Sequence, residues 1–272
     1  MILFTPLPQG ARGKKVLRLR QKSKQPFLLY NYLMEKYIGF WGYLPPETVK
    51  EYKTKYPNHK WLDLDINYGV PSQNILPESN CKIMKNIVDN SFAYKENLDI
   101  ILAPIGKDKC DNAYFATMIL KDYGFNIVQF NFENLKERKP TPICFSNMKL
   151  ADKINTITGS IIEPYTQKIE QCKPRFAFWG VPPNDFSILD LFPNDTYVLG
   201  WTRCVEAGVP ADIELECEVF ENIPTVFFAQ SFCSKNQLAK YLANKYNGLY
   251  IDIDDKASNS IYAKVEAFLR LR

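Results

Sequence analysis

Histidine is all but missing from this sequence. The chain of 272 residues has one, His59, in the turn-like run Tyr56-Pro-Asn-His-Lys60. A single imidazole argues against zinc sites built on histidine clusters and against Cys-His or Ser-His catalysis. His59 itself reads as a surface residue. Long apolar runs are also missing: none approaches the roughly 18 residues that would suggest a membrane-spanning helix. Met1-Ile-Leu-Phe-Thr-Pro6 makes a poor signal peptide, because the positive charges follow the short apolar run instead of preceding it. The sequence therefore predicts a cytoplasmic protein with no membrane partner. It contains no Cys-x-x-Cys pair, which excludes the usual zinc-ribbon and ferredoxin spacings. It also contains no Gly-x-x-x-x-Gly-Lys-Ser/Thr loop, so the chain carries no phosphate loop for hydrolysing ATP.

What is present is ordinary globular material. Apolar residues make up 46% and charged residues 24%, enough to build a core and a solvated surface. The length suits one large or two small α/β domains. The net charge of +4 is modest and is concentrated at one end. Arg12, Lys14, Lys15, Arg18, Arg20, Lys22 and Lys24 occur with no acid between them. Such a run can track a nucleic-acid backbone, form a solvated arm, or clamp an acidic partner or ligand phosphates. No aromatic interleaving or binding motif accompanies it, so nucleic acid is not the favoured partner.

In chain order, residues 1–28 read as this basic arm. Phe27 to Lys36 has helical apolar spacing. Tyr37 to Gly42 is a short apolar strand. The Pro45-Pro46-Glu47 run then opens a helix that continues to Tyr56. Strands are expected at Lys60–Asp65, Asp99–Ile105 and Phe125–Phe130, with helices from Cys81 and from Asp111 to Gly124 between them. Residues 131–150 form a connection, and Leu150 to Cys172 a helical connector. The pattern then restarts. Strands are expected at Arg175–Gly180, Tyr197–Trp201, Thr225–Gln230 and Gly248–Asp254, with helices at Phe186–Phe192, Ser234–Tyr246 and Ile261–Leu271. Tyr37-Ile-Gly-Phe-Trp-Gly-Tyr-Leu-Pro-Pro-Glu47 echoes Phe176-Ala-Phe-Trp-Gly-Val-Pro-Pro-Asn-Asp185, an internal repeat. The expected fold is α/β: two Rossmann-like domains with parallel sheets and a helical connector. Their bounds are 29–150 and 151–272, after the 1–28 arm, with the connector opening the second domain.

Seven cysteines, an odd count without a secretion signal, do not read as a disulfide framework. Thiolates are the abundant chemical resource. Cys81 opens a helix, where free N–H groups and the positive end of the dipole favour the thiolate. Cys110, Cys204 and Cys233 each follow a strand. In parallel α/β sheets, ligands bind beyond the carboxyl ends of the strands, so these cysteines can converge. Three dispersed thiolates could hold a [4Fe–4S] cluster with one iron left open, able to act as a Lewis acid. Equally, each could be a small buried hydrophobe, as free cysteine often is.

Several stretches, taken in order, resemble the D-component family of 2-hydroxyacyl-CoA dehydratases, which includes benzoyl-CoA reductase subunits and double-cubane cluster proteins. Ile38-Gly-Phe-Trp-Gly-Tyr-Leu-Pro-Pro-Glu47 resembles its N-terminal strand and Pro-x-Glu helix start. Pro77-Glu-Ser-Asn-Cys81 resembles its first ligand cysteine. Ile101-Leu-Ala-Pro-Ile-Gly-Lys-Asp-Lys-Cys110-Asp111 resembles the strand that ends in the second. Val226-Phe-Phe-Ala-Gln-Ser-Phe-Cys233 resembles the strand that ends in the third. Phe176–Gly180, Val198–Cys204 and Lys264–Leu269 resemble later elements. The resemblance implies Cys81, Cys110 and Cys233 as ligands of a [4Fe–4S] cluster, with Cys204 as a spare or alternative ligand. In the double-cubane branch, some of Cys144, Cys172 and Cys217 would serve a second cubane; otherwise they are structural. It further implies low-potential one-electron reduction of an acyl-CoA or other small molecule. The electron would come from a separate ATP-hydrolysing activator, and the assembly would be a homo- or heterodimer. The chain is shorter than members of that family, in regions that help shape the acyl-CoA pocket. That opens an alternative, a non-catalytic or scaffold subunit of a larger complex.

Overall fold

The structure, a computed structural model, describes residues 35–107 and 109–272. The basic arm 1–28 and most of the helix expected over Phe27–Lys36 lie outside the described residues. Residues 35–272 form one compact unit.

The first half begins with β1 (Tyr37–Phe40), α1 (Pro46–Lys55) and β2 (Lys60–Asp63). It continues through α2 (Lys82–Ala93), β3 (Leu98–Ile105), α3 (Asp111–Asp122) and β4 (Ile127–Asn131). Pro46 starts α1, where its fixed φ suits the first helical position and its missing N–H costs no bond. After α4 (Leu150–Gly159), the second half runs β5 (Phe176–Trp179), a 3₁₀ turn (Phe186–Leu191), β6 (Thr196–Leu199), α5 (Trp201–Glu206) and α6 (Ile213–Cys217). It closes with β7 (Thr225–Ala229), α7 (Lys235–Lys245), β8 (Leu249–Asp252) and α8 (Asn259–Leu271).

All strand pairs are parallel, and they make two four-stranded sheets. The orders are β2-β1-β3-β4 and β6-β5-β7-β8. Counted within its own half, each sheet has the order 2-1-3-4, so the sequence echo is an echo of topology. The inner strands are apolar on both faces, as parallel strands covered by helices must be. One large core joins the halves: Ile38, Phe40, Ile100 and Leu102 from the first sheet belong to the same cluster as Phe178, Val198, Val226 and Phe228 from the second. Two smaller cores lie on the other sheet faces. One holds Trp41, Leu62, Ile101 and Cys81 under α2 and α3, and the other holds Trp179, Leu199 and Phe227 under α7.

Three expectations need correction. The connector is helical only over Leu150–Gly159. The chain then turns through a segment carrying Pro164 and Pro174, both hostile to a continuing helix, and makes an isolated antiparallel bridge between Ser146 and Gln171. The helix expected over Phe186–Phe192 is a single 3₁₀ stretch, capped by Asp185, whose carboxylate accepts from the Ser187 N–H. Cys204 does not sit on a loop beyond a strand. Gly200, at φ 72°, turns the chain straight from β6 into α5, which places Cys204 inside that helix. Among the described residues, no helix is long and apolar enough to cross a membrane.

Candidate functional site

The carboxyl edges of the two sheets face each other across a crevice, and polar contacts close it. Asn86 on α2 donates to the carbonyl of Asp65 (2.9 Å) and to the side-chain oxygen of Asn184 (3.1 Å) beyond β5. Asn184 in turn donates to the Asp254 carbonyl, beyond β8, at 2.7 Å. Lys82, the first residue of α2, pairs with Asp255 at 2.9 Å. The start of α2 is thus tied to the loops that follow strands of the other half.

Cys81 stands at the N-cap of α2, its backbone extended (φ −53°, ψ 128°) and its N–H held by the Asn80 side chain at 2.8 Å. Burial pushes its thiol up; the amides of Met84 and Ile83 oppose the rise, and Cys110 and Asp254 add to it. Cys110 is the N-cap of α3 and is exposed. Gly106, at φ 119°, bends the chain off β3, and Lys109 donates its N–H back to Gly106 at 3.1 Å, which sets Cys110 at the head of the helix. Cys233 lies in the turn from β7 into α7. Its N–H donates to the Gln230 carbonyl at 3.1 Å, and its carbonyl accepts from Asn236 at 2.9 Å. Burial raises this thiol as well, the Lys235 amide opposes it, and Cys81 and Cys110 both raise it further. Among the described residues, no group of three or more His, Cys, Asp or Glu side chains is arranged to hold a metal ion.

Cys204 is elsewhere. It is fully buried among Ala207, Val209 and Leu215, with its thiol near the Asp212 carbonyl at 3.7 Å. Burial and the Glu216 carboxylate push it up to about 12. Cys81, Cys110 and Cys233 are not among the groups that shift it. Cys144 is buried, and its thiol is raised chiefly by that burial. Cys172 hydrogen-bonds the Ser146 carbonyl at 3.1 Å, and Cys217 ends α6. His59 donates to the Asp99 carboxylate at 2.8 Å, at the opposite end of the strands.

The chain, compared with known proteins, matches no family model and no curated sequence.

Sequence reasoning missed several polar groups around the crevice. Lys109 is pulled down to about 8 by burial, against the pull of Asp65; its ammonium lies 4.5 Å from the centre of the Phe132 ring. Asp65 accepts the Gly42 N–H at 2.7 Å and is raised by burial, while its neighbour Asp63 is raised further by burial and by the Asp65 charge. The side-chain amide of Gln230 and the indole N–H of Trp41 are buried and have no hydrogen-bond partner among the described residues. Gln230 carried a readable signal: a polar amide ending an otherwise apolar strand three residues before a cysteine. Trp41 looked like core, and its ring is core; only its N–H is not satisfied.

Two clefts, of about 460 and 670 Å³, open on another part of the surface. The first lies between Arg138, Phe145 and Arg203, and the second between Tyr43, Lys50, Ile162 and Glu206. Neither is lined by Cys81, Cys110 or Cys233.

Proposed function

We propose that this protein is an iron–sulfur protein of the 2-hydroxyacyl-CoA dehydratase and benzoyl-CoA reductase type, built of two Rossmann-like halves, which takes part in low-potential one-electron reduction. One observation supports the reading: Cys81, Cys110 and Cys233, far apart in sequence, each stand at the turn into a helix beyond the carboxyl end of a parallel strand. Three thiols are the donor chemistry that such a cluster takes.

Such a cluster supplies an electron relay and, at a fourth position without protein sulfur, a Lewis-acidic iron. The chain's own residues would do the rest. The helix N-terminal amides of Ile83, Met84 and Lys235 face the thiols and favour their charged form. The Asn86–Asn184 and Lys82–Asp255 contacts fix the distance across the crevice. Burial of Cys81 and partial burial of Cys233 would limit water at two corners, and exposed Cys110 would mark the side from which an electron donor can approach. ATP hydrolysis would belong to a separate activator. Cytoplasmic location and a dimeric assembly are part of the same reading.

The test is anaerobic purification followed by iron and sulfide analysis and a paramagnetic-resonance spectrum of the reduced protein. Cluster iron should be present, and it should fall sharply in Cys110→Ser and Cys233→Ser while Cys204→Ser retains it. Iron absent from the wild-type protein, or unchanged in the first two variants, would sink the reading. The placement of both clefts away from the thiols favours one second reading, a subunit that holds a cluster or only the fold while a partner binds substrate. Co-purification of a stable heteromer in which substrate is held by the other chain would favour it.

A further inference from the structure

The larger of the two clefts, about 670 Å³, has the size of a small-molecule site. Its walls come from Tyr43, Leu44 and α1, from residues 139–143 and 160–169, and from the end of α5. Hydrogen bonds fix them. Lys53 donates to the Ile162 carbonyl at 2.8 Å, the Lys139 N–H donates to the Ala207 carbonyl at 2.9 Å, and Glu206 accepts from the amides of Ile143 and Cys144. Leu44, Val49, Ile143, Ile161 and Ile162 supply an apolar lining. Three polar groups of the same lining have nothing to bind. Lys50 and Lys139 are exposed, and neither ammonium has a hydrogen bond or ion pair among the described residues. Tyr43 is 6% exposed, with its ring edge-on to Phe132 at 5.6 Å between centroids, and its hydroxyl has no hydrogen-bond partner among the described residues. Hydroxyls of residues so buried are almost always hydrogen-bonded. The one acid in the lining, Glu206, already spends its carboxylate on the two backbone amides. The smaller cleft differs: Arg138 is paired with Asp212, Glu214 and Glu218, and Arg203 with Glu218. An apolar wall with uncompensated positive charge and a donor lacking an acceptor is therefore particular to the larger cleft.

We propose that this cleft binds a small amphipathic carboxylate, with its apolar body against Val49, Ile161 and Ile162, its charge balanced by Lys50 and Lys139, and Tyr43 O–H as a hydrogen-bond donor to it. Burial of the body supplies most of the affinity, because each exposed cation adds little. The charge selects the acid over a neutral analogue of the same shape. None of the cysteines proposed as ligands lines the cleft, so the inference goes beyond the cluster reading and does not depend on it.

The experiment titrates the full chain with octanoate, butanoate and octan-1-ol in a calorimeter. Wild type is compared with Tyr43→Phe, with the double variant Lys50→Met and Lys139→Met, and with the control double variant Lys240→Met and Lys256→Met. The control lysines are exposed and line neither cleft. Thermal melting without ligand checks that each variant is folded. Octanoate should bind wild type at one saturable site. Butanoate, shorter by about four methylenes, should bind roughly tenfold or more weakly. The Lys50 and Lys139 variant should weaken octanoate by roughly three- to tenfold and leave octan-1-ol unchanged. Tyr43→Phe should weaken octanoate at an unchanged melting temperature, and the control pair should change nothing. No saturable octanoate binding by wild type overturns the inference. So does octan-1-ol binding as tightly as octanoate, an unchanged octanoate affinity in the cleft variants, or an equal loss in the control pair, which would mark a general effect of charge. These titrations need no iron, so their failure leaves the cluster reading standing, and iron analysis alone decides that reading.

Discussion

Lys153 offers a direct test of the second half's packing. The residue is fully buried, and its ammonium is held by the carbonyls of Asn194 (2.9 Å) and Thr196 at the amino end of β6. Loss of water pulls it from 10.5 down to about 8, against the opposing influence of Cys172, Cys144 and Asp195. A lysine lowered in the folded state holds its proton longer in the unfolded chain. Between the two values the unfolded chain binds more protons, so folding becomes more favourable as pH rises. Below about pH 8 the charged form is present in both states and the full penalty applies, about 3 kcal/mol for a shift of ~2.5 units. From pH 7 to pH 10 about 2.5 kcal/mol of it is relieved. The comparison to make is Lys153→Met, which keeps the length of the side chain and removes the charge. The variant leaves two carbonyls short of a donor, a cost that does not change with pH. Urea unfolding of both proteins at half-unit steps from pH 7 to 10 should show the wild type gaining on the variant by about 2.5 kcal/mol. Cys144 and Cys172, raised mainly by burial, weaken folding over the same window as the unfolded thiols ionise, but both proteins carry them, so their contribution cancels in the comparison. A stability difference that stays flat across the range, or moves the other way, refutes the argument.

Other expectations are simpler to check. Gly200→Ala should lower stability by about 2–4 kcal/mol in chemical denaturation, because φ is 72° and an added Cβ would lie 2.9 Å from the Gly180 nitrogen and 3.0 Å from the Trp179 ring. Glu206→Ala should cost a similar ~2–4 kcal/mol in the same assay, since its carboxylate accepts the buried N–H groups of Ile143 (2.7 Å) and Cys144 (2.9 Å). At the crevice, Asn86→Ala should cost about 1–3 kcal/mol by loss of two hydrogen bonds. Asp255→Ala should change stability by less than about 1 kcal/mol, and less still in high salt, because Asp255 is 59% exposed. Equal costs for these two would show that the amide bridge does not close the crevice.

Much of the fold was legible because its signals are local. Pro45-Pro46-Glu47 starts a helix wherever it occurs in such a chain, and an apolar stretch such as Thr225–Ala229 has no stable home other than an inner strand. The repeat was legible as Phe-Trp-Gly followed by Pro-Pro, and the equal strand orders give it structural meaning. Cys204 was misplaced because nothing local distinguishes a loop after β6 from an immediate helix; the left-handed Gly200 decides it, and glycine alone does not announce its φ. The connector was overextended because apolar Ile161, Ile162 and Ile169 keep a helix-like density while packing on the core from turns. At the site, the ends of strands located the cysteines. What lies between them depends on contacts from the opposite half, such as Asn184 and Asp254 on the start of α2, and sequence spacing does not carry such contacts.

The repeated strand order has a consequence for the number of donors. Cys110 and Cys233 occupy the same station in their halves, the turn between the third strand and its helix. Cys81 occupies another station, the cap of the helix that follows the second strand. The matching station in the other half is the cap of α5, and Gly200 stands there. A perfectly duplicated chain would carry cysteine at all four of these stations. This one presents three cysteines and a residue with no side chain, in a backbone state that other residues rarely adopt. The absence of a side chain at that station is thus fixed by the geometry of one turn, where an added Cβ would lie 2.9 Å from the Gly180 nitrogen.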